Sequence, residues 1–207
     1  MEQQSANLAA SLGKAPRTPR GEKTMRKILD AALAEFGESG FSESSIVSIT
    51  TRAKVALGTF YTYFDSKEGL FAALVADMSA RVSREVAPAL SEGFDMLDSE
   101  RRALNAYLHF AAEHKEVYRI IDEAEFVAPE AYRFHYETVA ARIASRLEAG
   151  GEKGEVRKLS ALERDVLAWA AMGMNVFLGL RFSVWGKEDA EEVATIANRI
   201  LRAGLEP

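Results

Sequence analysis

Hydroxyl-bearing side chains are concentrated near the end of one short segment, Ser45–Phe64. Four of them lie within one and a half helical turns: Thr59, Tyr61, Thr62 and Tyr63. Hydroxyl groups hydrogen-bond to phosphate oxygens, and a threonine methyl can contact a thymine methyl. Threonine and tyrosine are also poor helix formers, so their placement on a short helix indicates that the hydroxyls are used. The segment therefore predicts contact with a nucleic acid.

Motifs of enzymatic and metal chemistry are missing from the sequence. There is no cysteine, which removes disulfides and thiolate ligands and fits a reducing compartment. Of the three histidines, His109 and His114 are five positions apart, a poor fit for one helix face, and His135 lies further along. No nucleophile elbow, phosphate-binding glycine loop or zinc motif is present. We therefore expect no catalytic residue, no metal and no cofactor.

Charge is distributed unevenly along the chain, whose net charge is −5. Residues 1–67 contain nine Lys and Arg against seven Asp and Glu, a balance of +2, which leaves 17 against 24, a balance of −7, for the remainder. Six of the nine basic residues lie between Lys14 and Lys27. A basic end on an acidic protein indicates that this end faces a polyanion, with an incidental basic tail as the other interpretation.

Apolar periodicity predicts three short helices near the N-terminus. Residues 1–20 lack it and are predicted to be a disordered basic arm. A helix-turn-helix domain is expected over residues 21–66. Its three helices would begin near Gly21, after the Ser45 cap and near Leu57. A capping box of Asp65 and Glu68 would open a fourth helix, which connects from residue 66 to the rest of the chain.

The remaining residues, 67–207, are predicted to form a larger helical domain. Its further helices are expected roughly over Glu100–His114, Lys115–Phe126, Pro129–Gly150, Ala161–Trp185 and Asp189–Ala203. No strand alternation appears, so the fold class is all-α with about nine helices. The longest apolar run, Val166–Leu180, is shorter than the roughly 20 residues of a membrane span, and no secretory signal precedes the first helix. We expect a cytoplasmic protein without a membrane partner.

Several of these segments resemble the TetR family of bacterial repressors. The stretch GTFYTYFDSKEGLFAAL is similar to the family signature G-T-L-Y-x-Y-F-x-S-K-E-x-L, and Gly40-Phe41 resembles its G-[FY] turn. The helix from Ile28 to Phe36 resembles the family's first helix. The resemblance covers about residues 22–82. It implies an N-terminal DNA-binding domain and a C-terminal domain that binds a ligand and dimerises. It also implies that the protein binds a palindromic operator and dissociates from it when a small effector binds.

The same resemblance implies which residues contact double-stranded DNA. By position, Thr59, Tyr61 and Tyr63 would lie on the recognition helix. Lys67 would meet a phosphate near the start of the fourth helix. Ser45 and Ser48 would lie near the DNA backbone at the second helix.

The turn before the recognition helix departs from the family pattern. Lys54 stands where glycine is usual, and at a positive φ it would be strained by on the order of 1 kcal/mol or more. Ala56 replaces the usual Ser or Thr cap, a loss of about 1 kcal/mol. Leu57 replaces a polar or basic residue. It cannot bind a phosphate but could touch thymine methyls, so it is kept as a DNA-binding candidate.

The last two helices are predicted to form a homodimer. The helix over Ala161–Trp185 is apolar nearly all round and contains Gly173 and Gly179, which permit close helix approach. With the apolar face of the last helix it could supply half of a four-helix interface, as the resemblance also implies. A two-fold dimer suits two half-sites one helical turn apart. The alternative is that both helices complete the core of a monomer.

A ligand pocket is predicted from polar and aromatic residues within apolar segments of the C-terminal half. For most of them core packing competes with ligand binding. The candidates are Tyr107, Glu125, Tyr132, His135, Trp169 and Asn175. The aromatic, methionine-rich interior favours a hydrophobic effector. The function predicted from all these features is a homodimeric transcriptional repressor, with a helical enzyme or protein-interaction module as the alternative.

Overall fold

The structure of the chain is a computed structural model, which describes residues 13–90 and 94–206. Within these residues the chain forms nine α-helices and no strand. They are α1 (Pro19–Ser39), α2 (Ile46–Ala53), α3 (Leu57–Tyr63), α4 (Lys67–Val86), α5 (Met96–Glu113), α6 (Glu116–Val127), α7 (Pro129–Lys153), α8 (Ala161–Leu178) and α9 (Ala190–Leu205). A 3-10 turn, Ala87–Leu90, follows α4, and a π-helical segment, Gly179–Val184, continues α8. The predicted all-α class is confirmed.

Side-chain caps set the starts of several helices. Thr18 accepts the Gly21 N–H at 3.1 Å, so α1 begins at Pro19, slightly before the predicted start. Asp95 caps α5 through the Asp98 N–H at 2.7 Å, which moves its start from the predicted Glu100 to Met96. Ser160 and Glu163 form the predicted capping box of α8.

The chain divides into two compact units. The first contains the residues up to Ser79 together with Glu116–His135, and the second contains Ala80–Lys115 with Tyr136–Pro207. The first unit therefore holds α1 to α3, most of α4, α6 and the start of α7. The predicted domain boundary near residue 66 stays a prediction, because compactness does not test which part folds on its own.

Phenylalanine rings form the core of the first unit. Phe36, Phe60 and Phe71 are fully buried, and Phe64 is nearly so. The ring centroids of Phe36 and Phe71 lie 5.1 Å apart in an edge-on arrangement, which aromatic pairs prefer. Because the inward residues of α3 are held in this core, the orientation of its outer face is fixed.

Gly37, near the end of α1, lets α6 lie close to α1 within the first unit. A Cβ at Gly37 would lie 2.8 Å from the Glu116 Cβ, so only glycine fits this approach. At the end of α1, Arg119 donates to the carbonyl oxygens of Gly37 at 3.2 Å and Glu38 at 3.1 Å. A cation suits the C-terminus of a helix, where carbonyl groups lack partners. Glu123 then accepts the Phe41 N–H at 2.7 Å.

The second unit has two apolar clusters. One joins α5, α7, α8 and the end of α9 around Leu97, Leu147 and Ala168, and the other joins α5 and α9 around Leu104, Leu108 and Ala194. A buried carboxylate, Glu100, accepts a hydrogen bond from Arg146 at 2.5 Å, which compensates the cost of burying its charge.

One helical stretch of the described chain, Ala161–Val184, is long and apolar enough to cross a membrane by length and composition. A helix in the core or at an interface of a protein in water meets the same criterion. The finding therefore carries little weight in choosing between a membrane and a protein partner.

Candidate nucleic-acid interface

Serine hydroxyls fix the start of α2. Ser45 Oγ accepts the Ser48 N–H at 2.9 Å, and Ser48 Oγ accepts the Ser45 N–H at 3.0 Å. This reciprocal pair satisfies two backbone donors that the helix itself cannot satisfy. The hydroxyls of Ser45 and Ser48, both predicted to lie near DNA, thus already have a role inside the protein. The exposed position of Ser45 remains compatible with a contact to the DNA backbone.

The turn between α2 and α3 contains two of the three predicted departures, Lys54 and Ala56. Lys54 adopts the left-handed conformation with φ 56° and ψ 46°. Its N–H donates to the Thr51 carbonyl at 3.1 Å, and the Val55 N–H donates to the Thr50 carbonyl at 3.1 Å. Ala56 has the extended conformation of an N-cap but offers no side-chain acceptor to α3. The turn is closed by backbone hydrogen bonds alone.

The outer face of α3 combines an apolar and an aromatic side chain. Leu57 is 47% exposed and Tyr61, one turn later, is 49% exposed, while Phe60 is fully buried. Thr59 and Tyr63 lie at the edges of this face and are half-buried. Thr62 is exposed as well. The predicted residues of the recognition helix are thus all on its outer side or at its edge.

Lys67 performs a structural task that the sequence did not reveal. Its Nζ donates to the carbonyl oxygens of Phe41 and Ser44, both at 2.8 Å, and lies 4.1 Å from the centre of the Phe41 ring. The ammonium group therefore holds the loop between α1 and α2 against the start of α4. An ammonium has three donors, so one N–H is left for the phosphate contact predicted from the sequence.

The cap of α4 differs from the prediction. Ser66 Oγ, rather than Asp65, accepts the Gly69 N–H at 2.9 Å. Asp65 instead pairs with Lys14 Nζ at 2.8 Å, and the Lys14 N–H donates to the Tyr63 carbonyl at 2.8 Å. The predicted capping box of Asp65 and Glu68 is wrong, because Asp65 is engaged by a residue 51 positions earlier. Residues 1–12 of the predicted arm lie outside the described residues.

Basic residues of the first unit fall into two groups. Arg26 forms a two-pronged pair with Asp77 at 2.7 and 2.8 Å, and Arg52 pairs with Glu35 and Glu38. Another group is exposed and forms no ion pair with any described residue: Arg17, Arg20, Lys23, Lys27 and Lys54. Ion pairs neutralise the first group within the fold, so the second group supplies the positive charge available to a polyanion. The sequence showed that basic residues cluster near the N-terminus, but not which of them form ion pairs.

The six predicted ligand residues divide between the two units. In the first unit, Glu125 is exposed, and Tyr132 and His135 are half-buried. In the second, Trp169 is 43% exposed, while Tyr107 packs on the apolar cluster around Leu104 and Asn175 is half-buried. Their shared role therefore stays a prediction.

His135 is held by a short polar contact. Its Nδ1 lies 2.5 Å from Ser79 Oγ, which also donates to the Val75 carbonyl at 3.0 Å. The Ser79 hydroxyl has one proton and two lone pairs, so the tautomer of His135 sets which group donates in this contact. Burial lowers the pKa of His135 to about 4, so the imidazole is neutral at pH 7.

A cavity of about 440 Å³ lies within the first unit. It is bordered by the start of α4 and by the junction of α6 and α7, and its lining includes Phe64, Glu68, Ala72, Val127 and Glu130. None of the six predicted ligand residues lines it. No cluster of three or more metal-binding side chains occurs among the described residues.

A capped short helix, a three-residue turn and a second short helix with an exposed face define a helix-turn-helix, the DNA-reading element of many bacterial regulators. Comparison with known proteins agrees. Residues 28–74 match the family model of bacterial regulatory proteins of the tetR family. This match confirms, over the helix-turn-helix domain, the resemblance to the TetR family seen in the sequence.

Relatives extend the likeness over most of the chain. The uncharacterized HTH-type transcriptional regulator YdgC of Bacillus subtilis is 29% identical over 192 residues, 91% of this chain and 95% of the relative. A putative TetR-family regulator from Mesorhizobium loti has a TM-score of 0.75 at 20% identity, covering 92% of this chain and all of the other. AibR in complex with isovaleryl coenzyme A and operator DNA has a TM-score of 0.67 at 17% identity, covering 86% and 97%. The first two of these proteins are described as transcriptional regulators.

Proposed function

We propose that the protein is a homodimeric repressor that binds a palindromic operator and leaves it when a small hydrophobic effector binds. The observation that carries the proposal is the outer face of α3. It presents Leu57 and Tyr61 to solvent while Phe60 anchors the helix from below. A short helix held in this way fits the major groove, about 12 Å wide.

Phosphate contacts would come from the unpaired basic residues. Arg17, Arg20 and Lys23 lie just before or within the first turns of α1, and Lys54 lies in the turn before α3. Contacts of this kind position a protein on DNA without reading its sequence. Thr59 and Tyr63 at the edges of α3, with Ser45 and Ser48 at α2, would add hydroxyl contacts to the backbone.

The proposed dimer interface is supported by an apolar surface on α8 and α9. Large apolar side chains are exposed along one stripe of α8, in which Gly173 is the intervening position: Leu162, Val166, Trp169 and Phe177. On α9, Ile196 is 52% and Ile200 is 65% exposed. A Cβ at Gly173 would meet nothing within 4 Å, so a second helix could approach there. An apolar surface this large is more consistent with burial in an interface than with exposure to water.

The proposed effector is hydrophobic or carries a hydrophobic group. AibR, of similar fold, is described with both isovaleryl coenzyme A and operator DNA, so an acyl thioester is a reasonable first ligand to test here. In the second unit the buried Asn105 Oδ1 has no hydrogen-bond partner among the described residues. A buried amide oxygen without a donor is costly, and an effector could supply that donor. We add Asn105 to the six predicted ligand residues.

Repression, rather than activation, is proposed from the family alone. The cytoplasm is proposed because the DNA partner is there in bacteria.

Fluorescence anisotropy with the protein's own promoter tests the proposal. We expect salt-dependent, specific binding by two protomers per site, and Tyr61→Ala should weaken it by about tenfold or more. Phe126→Ala is the matched control, because Phe126 is 84% exposed on α6 of the same unit. If Tyr61→Ala and Phe126→Ala bind the promoter equally well, α3 is not the reading helix.

A further inference from the structure

The first turn of α3 has no side chain that can form a hydrogen bond. It consists of the cap Ala56, Leu57 and Gly58, and the first hydroxyl belongs to Thr59. In a helix-turn-helix, residues near the N-terminus of the recognition helix contact base edges. Any base that a side chain of this turn reads must therefore be read by apolar contact.

Leu57 is available for such a contact. It is 47% exposed, and the core side of α3 is already filled by Phe60 and Phe64. Next to it, a Cβ at Gly58 would meet nothing within 4 Å, so no neighbouring side chain covers the leucine from that position. One exposed leucine on a protein surface needs no explanation by itself. Leu57, however, lies in the first turn of the helix proposed to enter the major groove, on the same face as Tyr61, so its expected partner is a base edge of DNA.

Positive charge around the turn also fits DNA as the partner. Lys54, three residues before Leu57, is exposed and unpaired among the described residues, as are Arg17, Arg20 and Lys23 of the same unit. These cations can hold phosphates while the apolar turn lies against base edges. Thymine is the base that presents a methyl group in the major groove, whereas the other bases present polar edges there.

We propose that Leu57 recognises the 5-methyl group of a thymine in each half-site of the operator. Packing against this methyl buries apolar surface on both sides. Any other base at that position would leave a desolvated polar group facing a leucine, which adds a penalty to the lost contact. The inference rests on the proposed DNA-binding function and specifies its base preference.

Replacing thymine by deoxyuridine removes only the methyl group and tests the proposal. With the operator first located by footprinting, each thymine is replaced in turn by deoxyuridine, in both half-sites together. At one position we expect wild-type affinity to fall about fourfold per half-site, the effect of one buried methyl. Leu57→Ala should bind the unmodified operator with a similar loss and show no further loss with deoxyuridine at that position.

Val47→Ala is the matched control, because Val47 is an apolar residue of α2 that is 61% exposed. It should keep the full sensitivity to deoxyuridine. The proposal is overturned if no single deoxyuridine weakens wild-type binding more than twofold, if Leu57→Ala keeps the sensitivity, or if Val47→Ala is the variant that loses it. In each of these cases specific binding is still observed and the regulator function stands. Absence of any specific binding would instead refute the function.

Discussion

Replacing Lys54 by glycine should stabilise the protein through the turn before α3. The left-handed conformation, φ 56° and ψ 46°, costs a residue with a Cβ about 1–2 kcal/mol. Glycine avoids this cost but loses about 0.5–1 kcal/mol through its more flexible unfolded chain. The central values of these two ranges leave a net gain of about 0.75 kcal/mol for Lys54→Gly. No ion pair of Lys54 with a described residue is lost in the exchange.

Ala56→Ser should add a comparable gain at the neighbouring position. Ala56 already has φ −69° and ψ 146°, the extended geometry of an N-cap, but supplies no acceptor. A serine hydroxyl there could accept an N–H of the first turn of α3, which is worth about 1 kcal/mol. The two changes are two residues apart, so their effects need not add.

Urea unfolding measures these changes, with the slope against denaturant checked for constancy. For a chain of this length, 1 kcal/mol corresponds to about 2–4 °C in the melting temperature. Lys54→Ala is the control, since it removes the charge but keeps the Cβ. The strain argument fails if Lys54→Ala stabilises the protein as much as Lys54→Gly.

Two further predictions concern the first unit and the end of α9. Gly37→Ala should destabilise the protein by about 1–2 kcal/mol, because its Cβ would lie 2.8 Å from the Glu116 Cβ and push α6 away from α1. The control is Gly204→Ala in α9, where a Cβ meets nothing within 4 Å, and it should leave the stability unchanged or raise it by up to about 1 kcal/mol. Equal effects of the two changes in urea unfolding would contradict the close approach of α6 to α1. Burial lowers the pKa of His135 in the folded protein to about 4, so the unfolded chain binds more protons than the folded protein between about pH 6.5 and 4. The free energy of unfolding should therefore keep the whole contribution of His135 above pH 6.5 and lose it as the pH falls through that window. In melting curves against pH, His135→Gln should flatten this decline. An identical decline in His135→Gln would refute the assignment.

Local signals in the sequence predicted the elements that place the candidate site. Periodic apolar residues marked α3 with Phe60 inward, and the missing glycine at Lys54 correctly indicated a strained turn. Such features depend on residues a few positions apart, whose geometry a helix fixes.

Features that depend on distant residues could not be predicted. Lys14 reaches Asp65 across 51 positions and thereby leaves the cap of α4 to Ser66. Lys67 turns to the carbonyls of Phe41 and Ser44, although its spacing gave no hint of a structural role. The sequence also could not divide the basic residues into paired and free, because pairing is decided by the packing of α1 on α4 and on α2.

The glycine-mediated packing of α6 on α1 has a mechanical consequence. Where long side chains separate two helices, small displacements are absorbed by rotation about side-chain bonds. At Gly37 the backbone of α1 lies directly against Glu116, and Arg119 grips the last carbonyls of α1. No flexible side chain at this contact can absorb a displacement of α6. We therefore expect α1 to move together with α6, and the position of the helix-turn-helix formed by α2 and α3 to depend on both helices.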